Sequence, residues 1–314
     1  MLTRRHIRVK VMQSVYALNQ GHSQDLDREI KFLQQSIGNM QHLYLLMMAL
    51  FKEIHETANR QIQIAQKKYL ATTEEKNPNR KFADNRIFCL IADNQALDQA
   101  ISDAGMYRWN LDSEYVKIIY KNIVESELYS TYMKSGKSDF EQDREFFIAV
   151  FKEIIAEDEK LYEYIEDFNL TWTDDLPIVN TFLLKLFKKI EPANHDKFFI
   201  PKMYKNEDDR VFASDLLKKV TLNDEKWQQY INNKTSNWDK DRIAVIDAII
   251  LKMAICEFLR FPSIPVKVTL NEYLEIAKEY STDKSSIFIN GILDSLVKEL
   301  KEKNELKKTG RGLM

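Results

Sequence analysis

The chain is predicted to be all-α, and three observations carry that expectation. Only seven Gly and six Pro occur in 314 residues, too few for a turn-rich β architecture. Leu, Ile, Lys and Glu are abundant, which favours long helices. The apolar residues recur at helical spacing, as in Ile7, Val11, Val15 and Leu18, which fall on one stripe of a 3.6-residue period.

Taken in order, the first helix spans about 3 to 19, with Thr3 available as its cap and Gly21 as its stop. Residues 24 to 70 read as one long helix or two with a break at Gly38-Asn39. The stretch 72 to 81, TTEEKNPNRK, is charged, contains proline and lacks a period, so it reads as an exposed linker and a candidate domain boundary. Helices follow at about 84 to 104, 112 to 134, 141 to 157, 159 to 168 and 175 to 190, punctuated by Gly105, Ser135-Gly136 and Pro192. The last five are expected at 208 to 221, 224 to 233, 239 to 260, 267 to 280 and 284 to 305. Aromatic residues of the middle region, among them Tyr44, Phe51, Tyr115, Tyr120, Tyr129, Tyr132, Phe146, Phe147 and Phe151, have helical spacing and read as core.

Sliding the chain against itself by 66 residues aligns 143 to 179 with 209 to 245 without a gap. Twelve of the 37 pairs are identical, including Asp143 with Asp209, Phe146 with Phe212, the Asp-Glu-Lys at 158 and 224, Trp172 with Trp238, and Asp175 with Asp241. Residues 143 to 190 therefore read as a degenerate copy of 209 to 256, the alternative being two amphipathic helix pairs that share a period.

The formal charge is −2, so binding to nucleic acid would need a local basic patch. Two cysteines, Cys89 and Cys256, are too few for a disulfide scaffold or a zinc site. His6, His22, His42, His55 and His195 lack the i, i+4 pairing of a metal helix, and no cofactor is expected. The longest apolar run, Leu43 to Phe51, is about half of the roughly 20 residues a membrane span needs. A cytoplasmic protein without a membrane partner is expected. No catalytic constellation appears. Asp174-Asp175 and Asp208-Asp209 sit at helix starts, where they complement the dipole.

Arg4, Arg5, Arg8 and Lys10 crowd the first turns of a helix. Cations there oppose the helix dipole by a few tenths of a kcal/mol each, so their clustering points to an anion partner such as phosphate. A solvated terminus is the other reading the residues leave open. If about four phosphates were neutralised, the logarithmic salt slope would be about −3 for a single strand. Tyr16 could stack on an unpaired base or close the edge of the core. In the last helix, Ser285 or Ser286 is the expected cap and Gly291 a point of close approach, and Phe288 has a packing role available. Glu257 and Arg260 read as facing a protein partner or each other. Lys267 reads as solvated or as reaching phosphate.

The stretch PSIPVKVTLNEYLEIAKEYSTDKSSIFINGILDSLVKEL, 262 to 300, with DRIAVIDAIILKMAICEFL and DDRVFASDLLKKV before it, resembles the C-terminal half of the NusB family. TRRHIRVKVMQSVYAL, 3 to 18, resembles the family's arginine-rich first helix. The resemblance implies a NusB-like helical bundle made of residues 1–20 and 208–305, with a helical insertion at 21–207 and a basic tail at 306–314. It further implies a non-enzymatic RNA-binding factor of transcription antitermination. Such a factor acts on boxA-type leader RNA of ribosomal RNA operons, with the small-subunit ribosomal protein that doubles as NusE, within the RNA polymerase antitermination complex. The RNA-facing residues it implies are Arg4, Arg5, Arg8, Lys10, Tyr16, Lys284 and Phe288. The chain departs from the family pattern in having Ile287 before the Phe and Lys284 one turn earlier. A ribosome-assembly or scaffolding factor that uses the inserted helices is the alternative reading, and a homodimer fits either. A fused RNA methyltransferase would need a glycine-rich turn after a strand, and the sequence offers neither.

Overall fold

The structure is a computed structural model that describes residues 1–21, 25–136, 139–194, 196–235 and 243–313. Among these, fifteen α-helices and no strand occur. The chain divides into a discontinuous unit, residues 1–37 with 203–314, and an inserted unit, residues 38–202.

In the discontinuous unit the organising element is α13 (Val245–Arg260), apolar on nearly every side and buried from Ile249 through Phe258. A helix apolar all round has to be enclosed. It packs against α1 (Arg4–Gly21), α11 (Glu207–Thr221), α12 (Asp224–Lys234), α14 (Val266–Tyr280) and α15 (Asp283–Glu302). The stripe of α1 predicted from its spacing is buried, Ile7, Val11, Val15 and Leu18 included, and faces α11, α13 and α14. Leu2 extends the attachment by donating its amide to the Met203 carbonyl at 2.9 Å. Trp227 of α12 is fully buried and donates its indole N–H to Lys219 O at 3.2 Å.

In the inserted unit, the later part of α2 (Leu26–Gln66) brings Tyr44 to Phe51 into the interior. With them lie α3 (Thr73–Lys76), α4 (Arg86–Ala92), α5 (Gln95–Asp103), α6 (Ser113–Glu125), α7 (Glu127–Lys134), α8 (Phe140–Val150), α9 (Glu159–Phe168) and α10 (Trp172–Phe187). The core is aromatic: Phe147 meets Phe51, Phe88 and Phe187 at centroid distances of 5.1, 4.8 and 4.8 Å, within the favourable range for ring pairs. Two of its large buried polar side chains are answered, the Tyr44 hydroxyl by Phe199 O at 2.7 Å and the Trp109 indole by Leu46 O at 2.8 Å. The predicted aromatic core is thus observed, with Tyr115, Tyr120 and Tyr129 half-buried at its edge.

Several boundaries differ from expectation. Helix α2 runs through Gly38 without a break; one glycine costs about 1 kcal/mol, which the buried side chains on either side outweigh. The expected linker holds α3, closed by a capping box in which Thr72 and Glu75 satisfy each other's amides. The expected helices at 84 to 104 and 112 to 134 are each two, divided at Asp93-Asn94 and at Ser126. The α8 helix continues as a π-helical turn, Phe151–Ile155. The start of the expected helix 239 to 260 falls partly outside the described residues, as do His22, His195, Trp238 and Asp241.

Candidate nucleic-acid interface

The arginine cluster of α1 meets carboxylates of its own unit. Arg8 is only 1% exposed. It donates from Nε to Glu257 Oε2 at 2.9 Å and from Nη2 to Oε1 at 2.7 Å, a bidentate pair of the strong, directional kind. The Glu257 side chain is wholly buried and also accepts from the Thr269 hydroxyl at 2.7 Å and the Tyr273 hydroxyl at 3.2 Å. The guanidinium carbon of Arg8 lies 5.2 Å from the Phe212 ring centre and 5.7 Å from that of Tyr273, a cation–π arrangement. Burial opposes the charged form of Arg8, but the charge and hydrogen bonds of Glu257 outweigh it and the pKa is raised. Burial, followed by the Glu257 charge, pushes the Tyr273 hydroxyl well above its ordinary value.

Arg5 is bidentate to Glu272, with both bonds at 3.1 Å. Its pKa is raised by that hydrogen bond. Arg4 donates to Asp209 Oδ1 at 2.7 Å and lies over Phe212. The side chains of Arg4 and Arg5 are each 38% exposed.

These pairings correct the electrostatic reading of the sequence. The anion that the cluster demands is supplied internally, by Asp209, Glu272 and Glu257. Arg8 and Lys10, expected on the RNA surface, are buried; Arg8 is drawn in because an unpaired Glu257 inside an apolar helix would be costly. Asp209 does more than complement a dipole, and Glu257 meets Arg8, not Arg260. The sequence held one clue to this: a glutamate in a mostly apolar helix, whose other charged residues are only Asp247, Lys252 and Arg260, calls for a counter-charge. Its partner lies 249 residues away, beyond the reach of local pattern.

Tyr16 is exposed, at 42%, and so is Lys284, while Phe288 is half-buried in the second turn of α15. That helix is capped by Thr282, which accepts from the Ser285 amide at 3.2 Å, so neither expected serine is the cap. A Cβ at Gly291 would meet nothing within 4 Å, so no close approach needs a glycine there. Helices α1 and α15 share α13 and α14 as neighbours.

Burial pushes the Cys256 thiol up to about 12 and raises that of Cys89, so both are poor nucleophiles at neutral pH. Among the described residues no His, Cys, Asp and Glu cluster could hold a metal, and no helix is long and apolar enough to cross a membrane.

A model of the NusB family matches residues 181–298. Three proteins described as "Transcription antitermination protein NusB" are similar to the chain. That of Chloroherpeton thalassium is 44% identical over 103 residues, 33% of this chain and 49% of the relative. That of Salinibacter ruber is 41% identical over 105 residues, 33% of this chain and 66% of the relative. That of Natranaerobius thermophilus is 39% identical over 95 residues, 30% of this chain and 68% of the relative. The chain spans about half the length of the first and about two thirds of the other two, and it is longer than any of them. No solved structure matches it.

Proposed function

The chain belongs to the NusB family, and from that premise we propose that it is a non-enzymatic RNA-binding factor of transcription antitermination. Its ligand is a single-stranded boxA-like leader RNA, held together with the ribosomal-protein partner NusE. The observation that carries this reading is the match of residues 181–298 to the family, together with three similar proteins named for transcription antitermination. Arg4, Arg5, Tyr16, Lys284 and Phe288 are the RNA-facing residues. The Arg5–Glu272 pair is partly exposed and contributes about 0–1 kcal/mol, so a phosphate can replace Glu272 at small cost. Arg4 keeps the buried Asp209 through its Nε and meets phosphate with its other guanidinium N–H groups. The Arg8–Glu257 pair is wholly buried and cannot be exchanged in this way; it holds α1 in place.

The test is anisotropy titration of boxA-like RNA across a range of salt, with and without the ribosomal partner. An Arg4→Glu/Arg5→Glu variant is expected to lose affinity and to flatten the salt slope by about 1.4, at roughly 0.7 per phosphate. An RNA affinity equal to wild type, with partner binding lost, would transfer the proposal to the scaffolding role.

A further inference from the structure

A second group of cations behaves differently from the arginines of α1. Arg260 ends α13, Lys267 is in the first turn of α14, and Lys307 and Arg311 belong to the segment after α15. All four are exposed, and none lies within ion-pair distance of a carboxylate among the described residues. Two acids near the end of α15 are already engaged, Glu299 by Lys234 and Lys303 at 2.6 Å each, and Glu305 by the Tyr230 hydroxyl at 2.9 Å.

What gathers these cations is a docked tail. The Lys308 ammonium donates to the carbonyls of Glu257 at 3.3 Å and Phe261 at 3.0 Å, at the end of α13. The Thr309 amide donates to Pro262 O at 3.0 Å. Residues Gly310–Leu313 then form a 3₁₀ turn in which Gly312 is pressed onto the same carbonyl: a Cβ at that position would come 1.9 Å from Pro262 O. Lys307 and Arg311 flank this anchor, beside the turn that joins Arg260 to Lys267. Burial pulls the Lys308 ammonium down to about 8, so the tail docks against a desolvation cost, and it adds positive charge where two cations already stand. Of the aromatics nearby, Phe261 and Tyr273 are buried and Tyr230 is half-buried with its hydroxyl on Glu305, so the surface offers charge more than ring faces.

We propose that Arg260, Lys267, Lys307 and Arg311 form a phosphate-binding surface that takes the backbone of single-stranded RNA without regard to sequence. The inference rests on the RNA reading and extends it: this surface adds affinity to the interface without adding selectivity.

The experiment measures binding of a labelled single-stranded RNA of about 20 nucleotides, boxA-like or scrambled, against salt, using the full chain. Lys307→Glu/Arg311→Glu is expected to weaken both RNAs about equally, by roughly tenfold at low salt, and to flatten the slope by about 1.4. Gly312→Val keeps all four charges but undocks the tail, and is expected to lose affinity in the same direction with thermal unfolding of the bundle unchanged. If wild type binds and either variant binds as wild type does, the surface is refuted and the RNA reading stands. Loss for boxA-like RNA alone would also refute it, because the contact would then be selective. If wild type shows no salt-sensitive binding to any RNA, the RNA reading fails and this inference with it.

Discussion

Asp209 in the discontinuous unit and Asp143 in the inserted unit stand 66 residues apart, at matching places in two helices that fall at nearly the same relative positions. Shifted by 66, residues 140–155 land on 206–221, where α11 spans Glu207–Thr221, and Glu159–Phe168 lands on 225–234, where α12 spans Asp224–Lys234. Both aspartates are buried, and both receive an arginine from a helix earlier in the chain, Arg4 for Asp209 at 2.7 Å and Arg86 for Asp143 at 3.1 Å. Three residues on, Phe212 and Phe146 are both buried. The surroundings then diverge. Phe212 lies under the guanidinium groups of Arg4 and Arg8; Phe146 instead stacks on Tyr132 at 3.9 Å, and the Tyr132 hydroxyl donates to Asp143 Oδ1 at 2.7 Å. The correspondence weakens further along, since Val179 is buried and Val245 is exposed.

The comparison separates packing from function. One carboxylate anchor ties a helix down in both units, yet the discontinuous unit carries 25 Lys and Arg against 21 Asp and Glu, and the inserted unit 21 against 27. Where the local anchors match, any ligand preference has to come from surface charge, and only the first unit carries a net excess of cations.

The largest expected contrast is in stability. Arg8→Met leaves Glu257 buried without a counter-charge and is expected to cost about 3–5 kcal/mol, read from the unfolding of the discontinuous unit in denaturant. Arg86→Met should cost under about 1 kcal/mol, because Arg86 is 44% exposed and Asp143 keeps the Tyr132 hydroxyl and the Arg86 amide. Equal costs would break the comparison. Next in size, Tyr132→Phe should destabilise the inserted unit by about 1–2 kcal/mol through the lost hydrogen bond to a buried carboxylate, with no change in RNA affinity. The smallest effect expected is a null: Arg86→Glu, unlike Arg4→Glu/Arg5→Glu, should leave the salt slope of RNA binding where it was, and a flattened slope would make the inserted unit a second RNA platform.

Much of this architecture was legible because its signals are local. The helices expected at 159–168 and 267–280 agree with the structure within a residue; Pro265 marks the start of the second in sequence, and the first is capped by Asp158, which accepts from the Leu161 amide. Helix α3 was missed although its signature is local, Thr72 followed three residues later by Glu75, because the charged, proline-bearing run around it reads as linker. The continuity of α2 through Gly38 was not legible, since it depends on burial of the flanking side chains. The candidate site was the least legible part. Three arginines at a helix start look alike in sequence, but Arg8 is interior while Arg4 and Arg5 are at the surface, and only the distant Glu257, Glu272 and Asp209 make that distinction. The tail passed as merely basic, because the fit of Gly312 onto Pro262 has no local signature.

The Arg8–Glu257 pair also constrains how the protein is made. A ribosome adding about 5–20 residues per second takes on the order of 10–50 s to cover the 249 positions between the two. For most of that interval α1 has its charge uncompensated and its apolar stripe uncovered, while the inserted helices already have their own core to collapse around. Nascent chains halted before residue 257 should therefore leave the first twenty residues open to protease and to chaperones, and release past Tyr273 should close them.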